Sequence, residues 1–339
     1  MQVVERQSRS APSASHLGPP AHWPLPQPTP RFPPVELVKL CYTMVHAASA
    51  VGIHDLADGE YVPSDTTLEQ GIERQLHSLL DAVGCTRPGF RLLEIGCGYG
   101  RLLKLAADRG AAAVGVNVSR EQVDHCNAAG LQAYCCTYRD LLESPAWHGQ
   151  FDGVIANGSL EHWVQPEDVL AGQMNSLYRE SFEIAHKCLD PRAAEARYVT
   201  TAIHVQREVK PEYLLTPWRR HPRGSDRRHF SLLHNWMGGW YPVDGQLEKC
   251  ARPWFTLEME VDGTLGYKIA NDFRMRRMMR GWWTSPRMVG RIARAFLRHP
   301  RVTRTMLQCY FVEKSWDWQF WGENPPMKLL RHTWRRALH

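Results

Sequence analysis

Apolar positions along this chain change their spacing in a regular way. Short apolar runs alternate with stretches in which apolar residues recur at helical intervals. The spacing predicts helices over 35–56 and 66–84, the second closing at Gly84. A strand over 91–95 and a helix over 101–109 follow. Next come a strand over 112–118 and a helix that Ser119 caps, with Gln122 three residues on in a capping-box pattern. Further strands are predicted at 131–136, 151–157 and 196–205, a loop at Tyr138–Leu141 and one long helix over 166–188. Cys135 and Cys136 read as core. Strands alternating with helices imply a doubly wound α/β fold, a parallel sheet with helices on both faces. Ligands of such sheets bind at the carboxyl ends of the strands. The loops at 96–100, 117, 138 and 157–162 all fall on that edge.

Beyond residue 206 the pattern loosens. A basic loop (218–230) and a Gly-Trp turn (235–242) precede a helix over 266–283 and a basic amphipathic stretch, SPRMVGRIARAFLRHPRVTRTMLQ. Most of the 13 Trp lie here, so this half reads as an aromatic cap over the sheet edge. Residues 1–34 are rich in Pro and predict a disordered leader, with Trp23 and Phe32 as residues that could dock it on the body. Four regions result: the leader 1–34, a helical segment 35–84, a ligand-binding core 85–205, and a cap with the remaining core strands at 206–339.

Composition changes little in this picture. With 43% hydrophobic and 22% charged residues the chain can bury a core. Nine Cys without a C-x-x-C pair argue against a disulfide framework and for a reducing, cytoplasmic setting. No apolar run is long enough to span a bilayer, the first residues lack the apolar core of a signal peptide, and no metal-binding pattern stands out. The net charge of +6 is mild, and its concentration in the cap suits an anionic membrane surface. No RNA-binding module is visible, so nucleic acid is not an expected partner.

The chemistry starts at Arg91–Leu103, RLLEIGCGYGRLL. A glycine-rich turn between strand and helix lets the backbone approach a ligand closely. A dinucleotide fingerprint would need a third Gly where Arg101 stands. The acid Glu94, two residues before Gly96, matches instead the E/D-x-G-x-G-x-G motif of class I S-adenosylmethionine (SAM) methyltransferases, which implies a Rossmann-like core. Between residues 38 and 331 the chain resembles the cyclopropane-fatty-acyl-phospholipid synthases and mycolic acid methyltransferases. The resemblance rests on LLEIGCGYG, VGVNVSREQ, TYRDL, NGSLEHW, WYPVDGQL and GYKIANDFRMRRM in order.

That resemblance implies SAM as cofactor and a hydrophobic small molecule or lipid as acceptor. It implies that Glu94 faces the methionine ammonium, that Gly96, Gly98 and Gly100 clear space, with Gly98 closest, and that Asn117 serves the ribose hydroxyls. It also assigns Gln122, Tyr138 and Arg139 to the cofactor, and Glu161, His162 and Tyr267 to the acceptor site, where the family's Glu helps hold a bicarbonate base. Two of the family's bicarbonate-holding residues are missing. Its Tyr-Ser-Cys stands here as Ala57-Asp58-Gly59, and its strand His falls at Thr201 unless His204 replaces it. The departures favour C-methylation over cyclopropane formation. Methylation of a small amine and non-catalytic SAM binding are the other readings.

Overall fold

The computed structural model describes residues 34–54, 56–193 and 195–337. The leader lies outside these residues apart from Pro34, as do Trp23 and Phe32. Helix α1 (Pro34–Ala48) continues as a 3-10 turn to Val51 and stops at Gly52 in the left-handed region. The predicted helix to residue 56 therefore ends early, where Gly52 reverses the chain at no steric cost. Helix α2 (Leu68–Ala82) starts at a full capping box between Thr67 and Gln70.

The core alternates as the pattern predicts: β1 (Arg91–Ile95), α3 (Arg101–Asp108), β2 (Ala112–Asn117), α4 (Arg120–Ala128), β3 (Gln132–Cys135). Cys136 lies just past β3, and both Cys135 and Cys136 are half-buried rather than core. Three expectations are corrected here. Ser119 caps α4 without the expected capping box: its hydroxyl donates to Glu121 Oε2 at 3.2 Å, and the Gln122 carbonyl oxygen is taken by Asn117 Nδ2 at 2.9 Å. The Tyr138 loop is a short helix, α5 (Tyr138–Glu143), set by a capping box between Thr137 and Asp140. After β4 (Gly153–Asn157), the single helix predicted at 166–188 is two, α6 (Pro166–Leu170) and α7 (Met174–Cys188). Gly172 at φ +72° breaks them.

After β5 (Arg197–Val205), the cap contributes α8 (Pro211–Leu215), α9 (Asp226–Met237) and α10 (Gln246–Ala251). Strand β6 (Phe255–Asp262) then precedes α11 (Thr264–Thr284), α12 (Pro286–Arg298), α13 (Pro300–Leu307) and α14 (Ser315–Trp318), and β7 (Met327–Arg336) closes the fold. The seven strands lie in the order β3-β2-β1-β4-β5-β7-β6. The first five are parallel; β7 runs antiparallel to β5, and β6 antiparallel to β7, so the sheet is mixed.

Under α7 the sheet is sealed by aromatic contacts: Phe182 meets Trp334 edge-on at 5.1 Å and Tyr198 at 5.7 Å. Trp334 Nε1 donates to Thr200 Oγ1 at 3.0 Å, so its one polar atom is satisfied inside the core. Rings of this size bury roughly 150–250 Å² each, which makes this cluster a main anchor of β5 and β7. All nine cysteines are free thiols. Among the described residues no helix is long and apolar enough to cross a membrane, and no three His, Cys, Asp or Glu are grouped to hold a metal ion.

Candidate functional site

Crossovers of a doubly wound sheet place loops at the carboxyl edge, and five of them meet there. The first is the turn after β1. Gly96, Gly98 and Gly100 have φ of +86°, +52° and +77°, values that favour glycine. They differ in what surrounds them. A Cβ on Gly96 would come within 2.9 Å of Ser159 Cβ, and one on Gly100 within 2.6 Å of Leu131. A Cβ on Gly98 would meet nothing within 4 Å. Gly96 and Gly100 therefore answer to packing within the protein, and Gly98 borders open space.

Glu94 is the last but one residue of β1 and is 4% exposed. Burial pushes its carboxyl up to about 8, with a small contribution from Cys126. Its Oε2 has no hydrogen-bond partner among the described residues. A buried carboxylate oxygen without a donor is costly. A cationic group with N–H donors, such as an ammonium, would satisfy it, so these residues fit the group that the motif implies.

The second loop follows β2. Asn117 and Gln122 are both buried and are joined through their amides, while Asn117 Oδ1 accepts from Ser119 N at 3.1 Å. The third is α5. Tyr138 stacks flat on Trp163 with ring centroids 4.0 Å apart. Arg139 is turned outward to Glu180 on α7, 3.5 Å away. The structure thus brings Tyr138 to the aromatic wall of the loop after β4, and directs Arg139 to the outer face of α7.

That fourth loop, 158–162, rests on the glycine turn: Ser159 Oγ donates to Ile95 O at 3.2 Å. It ends in a 3-10 turn that buries Glu161. Glu161 Oε1 accepts the Ile203 N–H at 2.7 Å, whereas Oε2 has no partner among the described residues. Burial lifts this carboxyl to about 7, against the pull of the Ile203 amide. His162 is also buried, its Nε2 3.1 Å from the Tyr42 hydroxyl. Burial lowers it to about 4, so its ring is neutral near pH 7. A neutral His holding a tyrosine hydroxyl is a positioning group.

The fifth element is β5. Alternation along the strand puts Thr201 and Ile203 on one face and His204 on the other. Thr201 Oγ1 donates to Asn157 Oδ1 at 2.7 Å, while His204 packs edge-on against His332 at 5.4 Å. His204 therefore does not replace the missing strand His; the one-residue parity turns it away.

Residues that the sequence pattern did not single out complete the site. Asp58 is 2% exposed; its Oδ1 accepts from Gln75 Nε2 at 2.9 Å and its Oδ2 from Arg331 Nε at 2.7 Å. Gln75 Nε2 also reaches Asn157 Oδ1 at 3.3 Å, so the loop at 57–60 is tied to the end of β4 and the middle of β7. Burial raises Asp58 to about 6 despite Arg331. Tyr42 from α1, Tyr178 from α7 and Tyr241 from the turn after α9 all feel the charge of Glu161, and burial raises each hydroxyl. Tyr267, in the first turn of α11, is 4% exposed and packs edge-on against Phe320 at 5.0 Å. It interacts electrostatically with Tyr42 and Tyr241, which places it beside the same group. A carboxylate ringed by tyrosines is an electron-rich, weakly hydrated surface that favours a cation.

Comparison with known proteins agrees with this geometry. The methyltransferase domain family matches residues 93–179. A probable fatty acid methyltransferase of Mycobacterium tuberculosis is 33% identical over 107 residues, which is 29% of this chain and 24% of that protein. The chain thus spans about a quarter of the length of that relative. Among solved structures, the cyclopropane synthase MmaA2 of Mycobacterium tuberculosis superposes with a TM-score of 0.64 at 16% identity, over 89% of this chain and 98% of that one. The geranyl diphosphate C-methyltransferase of Streptomyces coelicolor, solved with S-adenosyl-L-homocysteine, gives 0.52 at 15% identity, over 91% and 100%. Residues 93–179 therefore match a methyltransferase domain, and the chain as a whole shares its fold with these solved methyltransferase and cyclopropane synthase structures.

Proposed function

We propose that the protein is a SAM-dependent methyltransferase acting on a hydrophobic acceptor, with C-methylation of an unsaturated lipid as the reaction. The observation that carries the reading is Glu94: a buried carboxylate oxygen without a donor, beside a glycine turn whose middle residue borders open space. SAM, when bound, supplies an electrophilic methyl group. Glu94 binds its ammonium, Gly98 lets the ligand approach the backbone, and Asn117 with Gln122 offers amides to the ribose hydroxyls. The stacked Tyr138–Trp163 pair supplies a flat aromatic wall.

On the acceptor side, adding a methyl group to an alkene leaves positive charge on the neighbouring carbon. The tyrosines around Glu161 favour that charge, and Glu161 Oε2 accepts a proton from an adjacent carbon, so a new double bond forms. A carboxyl held near 7 is suited to this, since a base works best with a pKa near the operating pH. Ring closure by a bicarbonate base is less well supported. The Ile203 N–H is already given to Glu161, and Gly59 and Thr201 replace the Cys and His that the resemblance calls for. His162 and Tyr42 hold each other and, with Tyr267, shape the acceptor site. Relatives named as fatty acid and sterol methyltransferases support a lipid acceptor.

Calorimetry with SAM, followed by NMR of the product formed from unsaturated lipids, tests the proposal. The expected product carries a methyl or methylene branch and forms without added bicarbonate. An upfield cyclopropane proton signal would overturn the assigned reaction, and absence of SAM binding would overturn the whole reading.

A further inference from the structure

From residue 273 to 312 the chain contains ten arginines and no acid. Three of these arginines are engaged by the fold. Arg274 is buried against the Ala57 carbonyl, Arg277 pairs with Glu69, and Arg291 donates to His46 O and Ser49 Oγ at 2.9 Å each. Arg280, Arg287, Arg294, Arg298, Arg301 and Arg304 are exposed. No ion pair involves any of these six among the described residues.

The same surface is apolar where water should favour polar groups. Trp283 and Leu297 are each 84% exposed, and Phe296 44%. Helix α12 makes the arrangement explicit. At roughly 100° per residue, Met288 and Ile292 face inward, and both are buried. Arg287, Arg291, Arg294 and Arg298 form a stripe along one flank. Directly opposite the buried face stand Gly290 and Leu297, flanked by Ala293 on one side and Arg294 on the other, so small or apolar residues occupy positions where a helix in water carries charge. An outward apolar ridge beside a cationic stripe is the pattern of a helix that lies in a membrane interface. The inner side of α12 adds to this. Met288 and Ile292 line a partly open apolar pocket of about 30 Å³ with Val45, Ile53, Met278 and Tyr310. Tyr310 stacks on Trp316, which packs against Tyr267. One helix thus has its outer face suited to lipid and its inner face packed toward the aromatic residues that adjoin Tyr267.

We infer that the exposed face of α11 and α12 docks on an anionic lipid bilayer, from which the acceptor is drawn. The inference deepens the proposed lipid methylation and rests on it for the identity of the acceptor, but the docking is measurable without turnover. The full-length chain is mixed with phosphatidylglycerol vesicles and with phosphatidylcholine vesicles, and partition is read by sedimentation and by the tryptophan emission maximum. Binding to the anionic vesicles with a blue shift is expected, weakened by added salt. The double variant Arg294→Glu/Arg298→Glu should lose roughly 30-fold or more in partition, since each cation near the surface contributes about fivefold. Phe296→Ser/Leu297→Ser should lose the blue shift. SAM affinity of both variants, measured by calorimetry, should stay at the wild-type value, which shows that they are folded and separates this test from the cofactor reading. Partition indifferent to lipid charge, or unchanged in both variants, overturns the inference. So does tighter binding of a duplex RNA than of vesicles, abolished by the same arginine changes.

Discussion

Replacing Glu94 by Gln removes a charge while nearly keeping the shape. In the ligand-free protein the carboxyl is held protonated up to about 8 by burial. An ammonium against Oε2 requires the ionised form, so binding expels a proton below pH 8. Wild-type affinity should therefore rise by close to tenfold per pH unit between pH 6 and 7.5, a range below the roughly 7.7–8.0 at which an α-amino group loses its own proton. Glu94→Gln has no proton to expel, and its affinity should be nearly flat over the same range. At pH 7.5 the variant lacks a hydrogen bond between charged partners, typically about 1.5–3 kcal/mol, so SAM should bind roughly 10–150-fold more weakly. Stability should move the other way. A carboxyl whose folded value lies above its unfolded one stabilises at low pH, and that contribution is lost as pH rises from the unfolded value through about 8. The contribution lost by pH 8 to 9 totals on the order of 3–5 kcal/mol, of which only about 1.4 kcal/mol goes between pH 7 and 9, so Glu94→Gln should melt above wild type in alkaline buffer. Titration calorimetry in two buffers of different ionisation enthalpy reads proton release directly, and scanning calorimetry reads the melting point. Wild-type affinity independent of pH, with an equal value for Glu94→Gln, would refute the placement of the ammonium at Oε2.

Other residues give separate readouts. Glu161→Gln should lower kcat by roughly 10²-fold or more, the scale of a lost general base, with SAM affinity unchanged in calorimetry. Wild-type kcat should rise with pH through an apparent value near 7, the acidic limb that titration of Glu161 produces, and a profile flat from pH 5.5 to 8.5 would exclude Glu161 as the base. Asp58→Asn removes one of the two carboxylates that hold the buried Arg331 guanidinium, Glu60 being the other, and should cost about 1.5–3 kcal/mol in urea unfolding, the scale of a hydrogen bond to a charged group, whereas a loss below about 0.5 kcal/mol would show that the pair does not hold the 57–60 loop. Gly98→Val should abolish SAM binding because its side chain would enter the open space beside the turn, and the left-handed backbone at φ +52° should also cost about 1–2 kcal/mol in folding stability; full binding by the variant would place the ligand elsewhere.

Much of the sheet edge was legible because its signals are local. β1 to β5 are short apolar runs bounded by turn residues, and the Glu94–Gly100 motif lies within one strand and one turn. β6 and β7 were not placed. β6 is an edge strand exposed over most of its length, and β7, Met327–Arg336, carries Lys328, Arg331, Arg335 and Arg336. Its charges are satisfied by partners distant in sequence, Arg331 by Asp58 and Arg335 by Glu258, so the run reads as a basic tail until those partners are seen. The capping box of α5, Thr137 with Asp140, lies inside the TYRDL motif, so one short run encodes both a helix start and a loop signature. Asp58, Gln75, Tyr42 and Tyr178 come from four separate elements, and no spacing along the chain connects them. The face of β5 decided against His204 by simple alternation from Thr201.

The account turns on transfer of a methyl group to an apolar molecule. Incubation of the purified protein with methyl-labelled SAM and an unsaturated lipid extract, followed by mass spectrometry of the organic phase, measures that transfer. Label is predicted in a product one CH2 heavier than its lipid precursor, formed in step with S-adenosyl-L-homocysteine and lost in Glu161→Gln. Label confined to water-soluble products, with SAM bound and consumed at the wild-type rate, would contradict it.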